Sequence, residues 1–286
     1  MKDLRLRYRL PVLKRVLGVS ASGYYAWVDR PLSARAKDDL RLELEIKAAD
    51  RRTRQTYGAE RLQNEMASHG VQVGISRIRR IRKKLGICCK QKRKFKATTD
   101  SSHRLPVTGN LLARRFRPEQ PNRVWVSDIT YVPTDEGWLY LAGHKDLFNG
   151  EIVGYAMGER LTRDLTIKSL FRAVAARRPA DGLIHHSDRG SQYCSYEYRG
   201  LLDRYGLQAS MSGTGNCYDN APMESFWGTL KQELIHHRRY RTRNEAMADI
   251  SEYIEVFYNR IRIQARLGFM SPVAFAKRYY AASVAV

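Results

Sequence analysis

The chain has 286 residues, enough for one large domain or two ordinary ones, and its 43% apolar and 10% aromatic content can fill real cores. Its formal net charge of +22 is unevenly placed: residues 1–117 carry 30 Lys+Arg against 10 Asp+Glu (+20), and residues 118–286 carry 21 against 19 (+2). No apolar run of about 18 residues occurs, so a membrane span is not expected, and the opening residues lack the apolar stretch of a secretory leader. A strongly basic part joined to a balanced part reads as a nucleic-acid-binding region attached to something else. The four cysteines form no C-x-x-C pair and the seven histidines no H-x3-H set, which favours a reducing compartment and no structural zinc.

In chain order, residues 5–28 alternate basic and apolar positions, and Gly18-Val-Ser20 suggests the turn of a first helix pair. Residues 34–52 read as a charged helix on composition, although Leu40, Leu42, Leu44 and Ile46 are spaced nearer to a period of two. A helix over 57–66, ended by His69-Gly70, and another over 77–85, capped by Ser76 and ended by Gly86, predict a helix-turn-helix over about 57–86. Eleven of the 20 residues from position 77 to 96 are basic. Arg77, Arg79, Arg80, Arg82, Lys83 and Lys84 are therefore the candidate DNA contacts, because phosphates relieve the repulsion among such a row of cations. Proline-containing polar residues then form a linker, and at Arg123 the character changes.

Segments 124–132, 138–142 and 152–156 read as three strands with short connections, suggesting an antiparallel meander. Thr162 caps an expected helix to Arg177 with Leu165, Leu170, Phe171 and Val174 inward. A strand over 182–187, a helix over 196–205 and a strand over 207–211 follow. After a glycine-rich loop, Asn220 and Pro222 open a further helix, and a long helix is expected over about 244–260. These elements describe an α/β layer fold with a mixed five-stranded sheet and flanking helices. Asp128 falls inside the first strand, Asp188 just past the fourth, and Glu224 at the start of the helix after the fifth, with Lys231 two turns further on the same helix face. Three converging carboxylates need divalent cations to offset their repulsion, and hard oxygen donors suit Mg²⁺ or Mn²⁺.

The motifs Trp125-Val-Ser-Asp-Ile-Thr-Tyr131, His186-Ser-Asp-Arg-Gly-Ser-Gln-Tyr193 and Gly215-Asn-Cys-Tyr-Asp-Asn-Ala-Pro-Met-Glu-Ser-Phe-Trp-Gly-Thr-Leu-Lys231 occur in order, with 35 residues between Asp188 and Glu224. Together with Tyr258-Asn-Arg-Ile-Arg262 and Leu267-Gly-Phe-Met-Ser-Pro272, they resemble the orfB-type transposases of bacterial insertion sequences, whose retroviral-integrase-like core carries a D,D-35-E triad. The resemblance spans almost the whole chain. It implies a ribonuclease-H-like core over 121–286 with C-terminal helices, a linker over 101–120 and a basic all-α region over 1–100. It further implies Asp128, Asp188 and Glu224 as catalytic metal ligands for two Mg²⁺ or Mn²⁺ ions, and Lys231 as a DNA contact. The implied reaction is 3′-end cleavage and strand transfer on the element's terminal repeats and target DNA. Implied too are a dimer or higher oligomer on DNA, an upstream-frame partner or fusion, and a place in the bacterial cytoplasm at the nucleoid. Asn216, Asp219 and Asn220 are expected to order the loop before Glu224 or to touch DNA. The alternative is a non-catalytic protein that only occupies the element's ends. Gly143-His144-Lys145, Gly150-Glu151 and Gln264 depart from the family's usual residues; two polar groups in a central strand are costly if buried unpaired.

Overall fold

The computed structural model describes residues 2–90, 107–213 and 217–284. Asn216 and residues 91–96 of the basic run lie outside the described residues. The chain opens with three short helices, α1 (Lys2–Arg5), α2 (Leu10–Leu17) and α3 (Ala21–Val28). Gly18 ends α2 in the left-handed conformation (φ 64°), and Ser20 caps α3 by accepting from the Gly23 N–H at 3.0 Å. In α4 (Ala34–Arg52) Leu42, Ile46 and Ala49 are buried while Leu40 and Leu44 face solvent. The apparent period of two is thus a helix with only every fourth leucine-like position inward. α5 (Ala59–Ser68) and α6 (Ile75–Lys84) form the expected helix-turn-helix pair. Gly74 stands at the N-cap of α6, so Ser76 lies within the first turn and does not cap it.

The sheet contains β1 (Val124–Thr134), β2 (Gly137–Asp146), β3 (Ile152–Gly158), β4 (Ile184–Ser187) and β5 (Gln208–Met211), in the order β3-β2-β1-β4-β5. β1, β2 and β3 form the antiparallel meander, whereas β4 runs parallel to β1 and β5 parallel to β4. α7 (Arg163–Arg177) packs on β2 and β3 through Leu165, Leu170 and Ala173. Phe171, expected inward, is 61% exposed, because the helix turns it away from the sheet. Thr162 stands at the N-cap of α7 but its hydroxyl makes no capping bond. α8 (Ser191–Cys194) and α9 (Tyr196–Arg204) lie between β4 and β5. α10 (Ala221–Glu233) crosses toward β1, α11 (Arg243–Glu252) continues as a π-helical turn over Tyr253–Tyr258, and α12 (Pro272–Val284) closes the described chain.

One apolar core joins the helical region to the C-terminal half. It contains Leu42, Ile46, Leu62 and Ile78 together with Phe226, Leu230, Ile254 and Phe257. Polar contacts reinforce the seam. The Tyr57 hydroxyl accepts from the Ile263 N–H at 2.7 Å, and Arg54 pairs with Glu252 while lying 4.5 Å over the Phe257 ring. The described part of the expected linker is packed rather than loose: Leu112 is buried and the Leu111 N–H donates to Ser210 Oγ at 2.9 Å.

Candidate active site

The parallel pairing of β1 with β4 sets the site. Val126 pairs with His186, and two residues further along each strand comes an aspartate, Asp128 on β1 and Asp188 just beyond β4. Each is half-buried, whereas Glu224, in the first turn of α10, faces solvent. Asp128 Oδ1 accepts from the Ile129 N–H at 2.8 Å and its Oδ2 from the indole Nε1 of Trp227 at 3.1 Å. Asp188 Oδ1 accepts from the Gly190 N–H at 2.9 Å. Burial and then the charge of Asp188 push the Asp128 carboxyl up to about 8, with Glu224 contributing in the same direction. Burial, then Asp188, also raises Glu224. The three carboxylates therefore share one electrostatic field. Among the described residues no three His, Cys, Asp or Glu side chains stand close enough together to hold a metal ion.

Two residues that pattern reading missed build this arrangement. Gly143 on β2 lies directly across from Asp128. A Cβ there would approach Met223 Cε and Trp227 Cη2 to 3.0 Å, so the glycine gives the indole its seat. Trp227 is thereby positioned to hold Asp128. The other departures in this strand are satisfied despite their burial. His144 Nε2 bonds Ser169 Oγ at 2.9 Å, its Nδ1 meets His185 Nε2 at 3.2 Å, and the Tyr198 hydroxyl completes the chain at 3.0 Å from His185. Burial holds His144 well below its ordinary value and His185 down to about 3, so both rings are neutral at pH 7. Lys145 Nζ donates to the Pro222 carbonyl at 2.8 Å.

The loop before α10 is tied down by Asp219. Its Oδ2 accepts from Asn110 Nδ2 at 3.0 Å and the Gly213 N–H at 2.9 Å, and its Oδ1 pairs with Arg114 at 3.0 Å. The Gly213 bond, then Arg114, holds its carboxyl below the usual range. Asn220 stands at the N-cap of α10 but does not cap it; its Nδ2 donates to the Ser127 carbonyl at 3.1 Å, next to Asp128. Lys231 Nζ lies 5.0 Å over the Tyr131 ring, and burial lowers its pKa while Asp128 opposes the shift. On α6, Arg77 pairs with Asp38 and Asp39, Arg80 with Asp39 and Lys84 with Glu43, all on α4. Arg82 is buried and its Nη2 meets Cys89 Sγ at 3.3 Å. Arg79 and Lys83 face solvent without an acidic partner among the described residues. The part of the α6 cationic face that closes no ion pair among the described residues is thus narrower than composition suggests.

Known proteins match this architecture segment by segment. The integrase core domain family matches residues 118–217, a second integrase core domain family residues 224–279, and the HTH-like domain family residues 37–95. The transposase InsF for insertion sequence IS3A of Escherichia coli (strain K12) is 38% identical over 273 residues, covering 95% of each chain. An uncharacterized 31 kDa protein of insertion element IS600 from Shigella sonnei is 60% identical over 266 residues, 93% of this chain and 98% of that protein. The chain belongs to the insertion-sequence transposase family. Among solved structures, a simian T-cell lymphotropic virus intasome aligns with a TM-score of 0.47 at 17% identity, over 75% of this chain and 70% of that one. The HTLV-2 integrase catalytic core in complex with magnesium aligns with a TM-score of 0.45 at 16% identity, over 56% and 99%. The transposase is a DDE-type polynucleotidyl transferase with an integrase-type core and an HTH-like helical region, and it acts on DNA in transposition.

Proposed function

We propose that this transposase cuts the 3′ ends of its element and joins them to target DNA, with Asp128, Asp188 and Glu224 as the catalytic carboxylates. The observation that carries the reading is that the parallel pairing of β1 with β4 sets Asp128, within β1, beside Asp188, just past the end of β4, with Asp128 raised to about 8 by burial and its acidic neighbours. Such an all-carboxylate oxygen set fits hard divalent cations, and Asp128, Asp188 and Glu224 would hold two Mg²⁺ or Mn²⁺ ions. Bound there, the ions would supply activation of water or a 3′-hydroxyl and stabilisation of the leaving oxygen. The chain's own residues perform the positioning. Trp227 and the Ile129 N–H fix both oxygens of Asp128, and Gly190 fixes Asp188. Glu224 enters from the exposed first turn of α10, where the helix dipole favours its ionised form. Lys231, stacked on Tyr131, contacts a DNA phosphate beside the carboxylates, and Asp219 and Asn220 order the loop that brings α10 into place. Arg79 and Lys83 of α6 meet the phosphates of the element's terminal repeat. Joining two ends requires at least two copies on DNA, and the site of action is the bacterial nucleoid.

The test is strand transfer with labelled DNA ends taken from the repeats flanking the gene, comparing the natural chain with Glu224→Gln in Mg²⁺ and in EDTA. Joined product that requires both Mg²⁺ and Glu224 is expected. Product formed equally by Glu224→Gln would overturn the carboxylate assignment, and binding without cleavage by the natural chain would favour occupancy of the ends alone.

A further inference from the structure

α10 presents two faces. Trp227 bonds Asp128 and shares its helix face with Glu224 and Lys231, whereas Pro222, Ser225, Phe226 and Thr229, at helical spacing, line a cavity of about 640 Å³ on the adjacent face. Its other walls come from residues 116–118, the end of β2 and the 258–267 segment. Among the described residues no carboxylate lines it, but five cations do: Arg61, Arg117, Lys145, Arg262 and Arg266. Arg262 is neutralised from behind by Glu233, at 2.7 Å with both side chains buried. The other four make no ion pair among the described residues. Arg266 is held in place, with Nε donating to Gln264 Oε1 at 3.2 Å. A Cβ at Gly150 would stand 1.9 Å from its Nη2, so the glycine makes its room. Gln264 Nε2 is buried and closes no hydrogen bond, although Tyr258 stands beside it. Lys145, Gly150 and Gln264, three departures singled out in the sequence, therefore meet at one place. The remaining walls are aromatic and aliphatic, with Phe148 and Phe275 rings 5.3 Å apart and Phe116, Phe226 and Tyr258 among the rest.

We propose that this cavity holds one unpaired nucleotide of the DNA strand being processed, its phosphate among Arg117, Lys145 and Arg266 and its base against the phenylalanine rings. Facing cations that close no ion pair repel one another, and a phosphodiester neutralises them. Duplex DNA offers phosphates on a convex surface and keeps its bases stacked, so it has no use for a ring-lined cavity; an unstacked base has a free π-face and fills one. The volume falls in the range of roughly 300–1,000 Å³ common for single small ligands. Burial, with Arg266 and Arg262 nearby, lowers Lys145 to about 7, and an entering phosphate would favour its charged form. A strand end lodged here would be gripped by the helix that carries Glu224.

The proposal rests on the reading of the chain as a DNA transposase, and its test separates the two. Fluorescence anisotropy of the full chain, at constant salt, would compare a blunt duplex with the same duplex bearing a short single-stranded overhang. A preference of about tenfold for the overhang is expected, from stacking worth about 1–3 kcal/mol per base. Arg117→Glu, which changes an exposed residue, and Arg266→Gln are each expected to abolish the preference while leaving blunt-duplex affinity within about twofold, with melting temperatures confirming the fold. Equal affinity of the natural chain for both DNAs, or variants that weaken both equally, would overturn the pocket and leave the transposase reading intact. Failure to bind either DNA would count against both. Free deoxyadenosine monophosphate at the DNA's concentration should leave the preference in place; its loss would assign the cavity to a free nucleotide and overturn the proposal.

Discussion

Lys145 offers the sharpest test of how this core tolerates charge. It is 6% exposed in a central strand, and its Nζ donates to the Pro222 carbonyl at 2.8 Å. Burial first, then Arg266 and Arg262, lowers its pKa from 10.5 to about 7. The unfolded chain keeps the ordinary value, so between about pH 10.5 and about pH 7 it binds a proton that the folded chain does not. Stability is therefore penalised increasingly as pH falls through that window, and the penalty is complete below about pH 7. The displacement corresponds to at most about 5 kcal/mol, and the hydrogen bond from the charged amine offsets roughly 1.5–3 kcal/mol of it. Lys145→Met keeps the stem and removes the charge, so a gain of about 2–3 kcal/mol at pH 7 is expected, or roughly 3–5 °C in Tm. Thermal unfolding followed by circular dichroism at about pH 7 and about pH 10 should show the gain shrinking toward zero at the higher pH. A variant less stable than the natural chain at pH 7, or a gain equal at both pH values, would refute the reasoning.

Three further outcomes are expected. Trp227→Phe removes the indole bond that favours the ionised form of Asp128, worth about 1.5–3 kcal/mol once that carboxylate is charged, so single-turnover strand transfer should slow by roughly ten- to a hundredfold; an unchanged rate would deny Trp227 its positioning role. Glu233→Gln leaves Arg262 buried without its counter-charge and should cost about 3–5 kcal/mol in urea unfolding, while Glu233→Gln combined with Arg262→Met should recover most of it. Replacing Arg79 and Lys83 together by Ala should reduce the slope of log K against log salt for DNA binding by about 1–2, whereas a slope that does not move would place the phosphate contacts elsewhere.

Local patterns carried much of this molecule. The strands over 124–132, 138–142 and 152–156 are short-range features, and the antiparallel half of the sheet follows from them, whereas the three carboxylates are offered by the spacing of motifs shared with a known family. What composition could not carry depends on partners distant in sequence. Six cations on α6 look alike in one dimension, yet Asp38, Asp39 and Glu43 on another helix neutralise three of them. Trp227 reads as one more apolar position of α10 until β2 brings Gly143 opposite Asp128 and opens its seat. His144 and Lys145 look like errors in a buried strand until Ser169, His185 and the Pro222 carbonyl come into reach. Phe171 and Leu44 fit an apolar pattern and still face solvent, because each lies on the side of its helix turned away from the elements it packs against.

The most direct test of the carboxylate site is an anomalous difference map from crystals of the full chain grown with Mn²⁺ and an end-DNA duplex. Peaks bounded by Asp128, Asp188 and Glu224, with Glu224 drawn in from its exposed position, are the expected result. Manganese bound away from these three side chains, or no peak beside Asp128 with DNA in place, would contradict it.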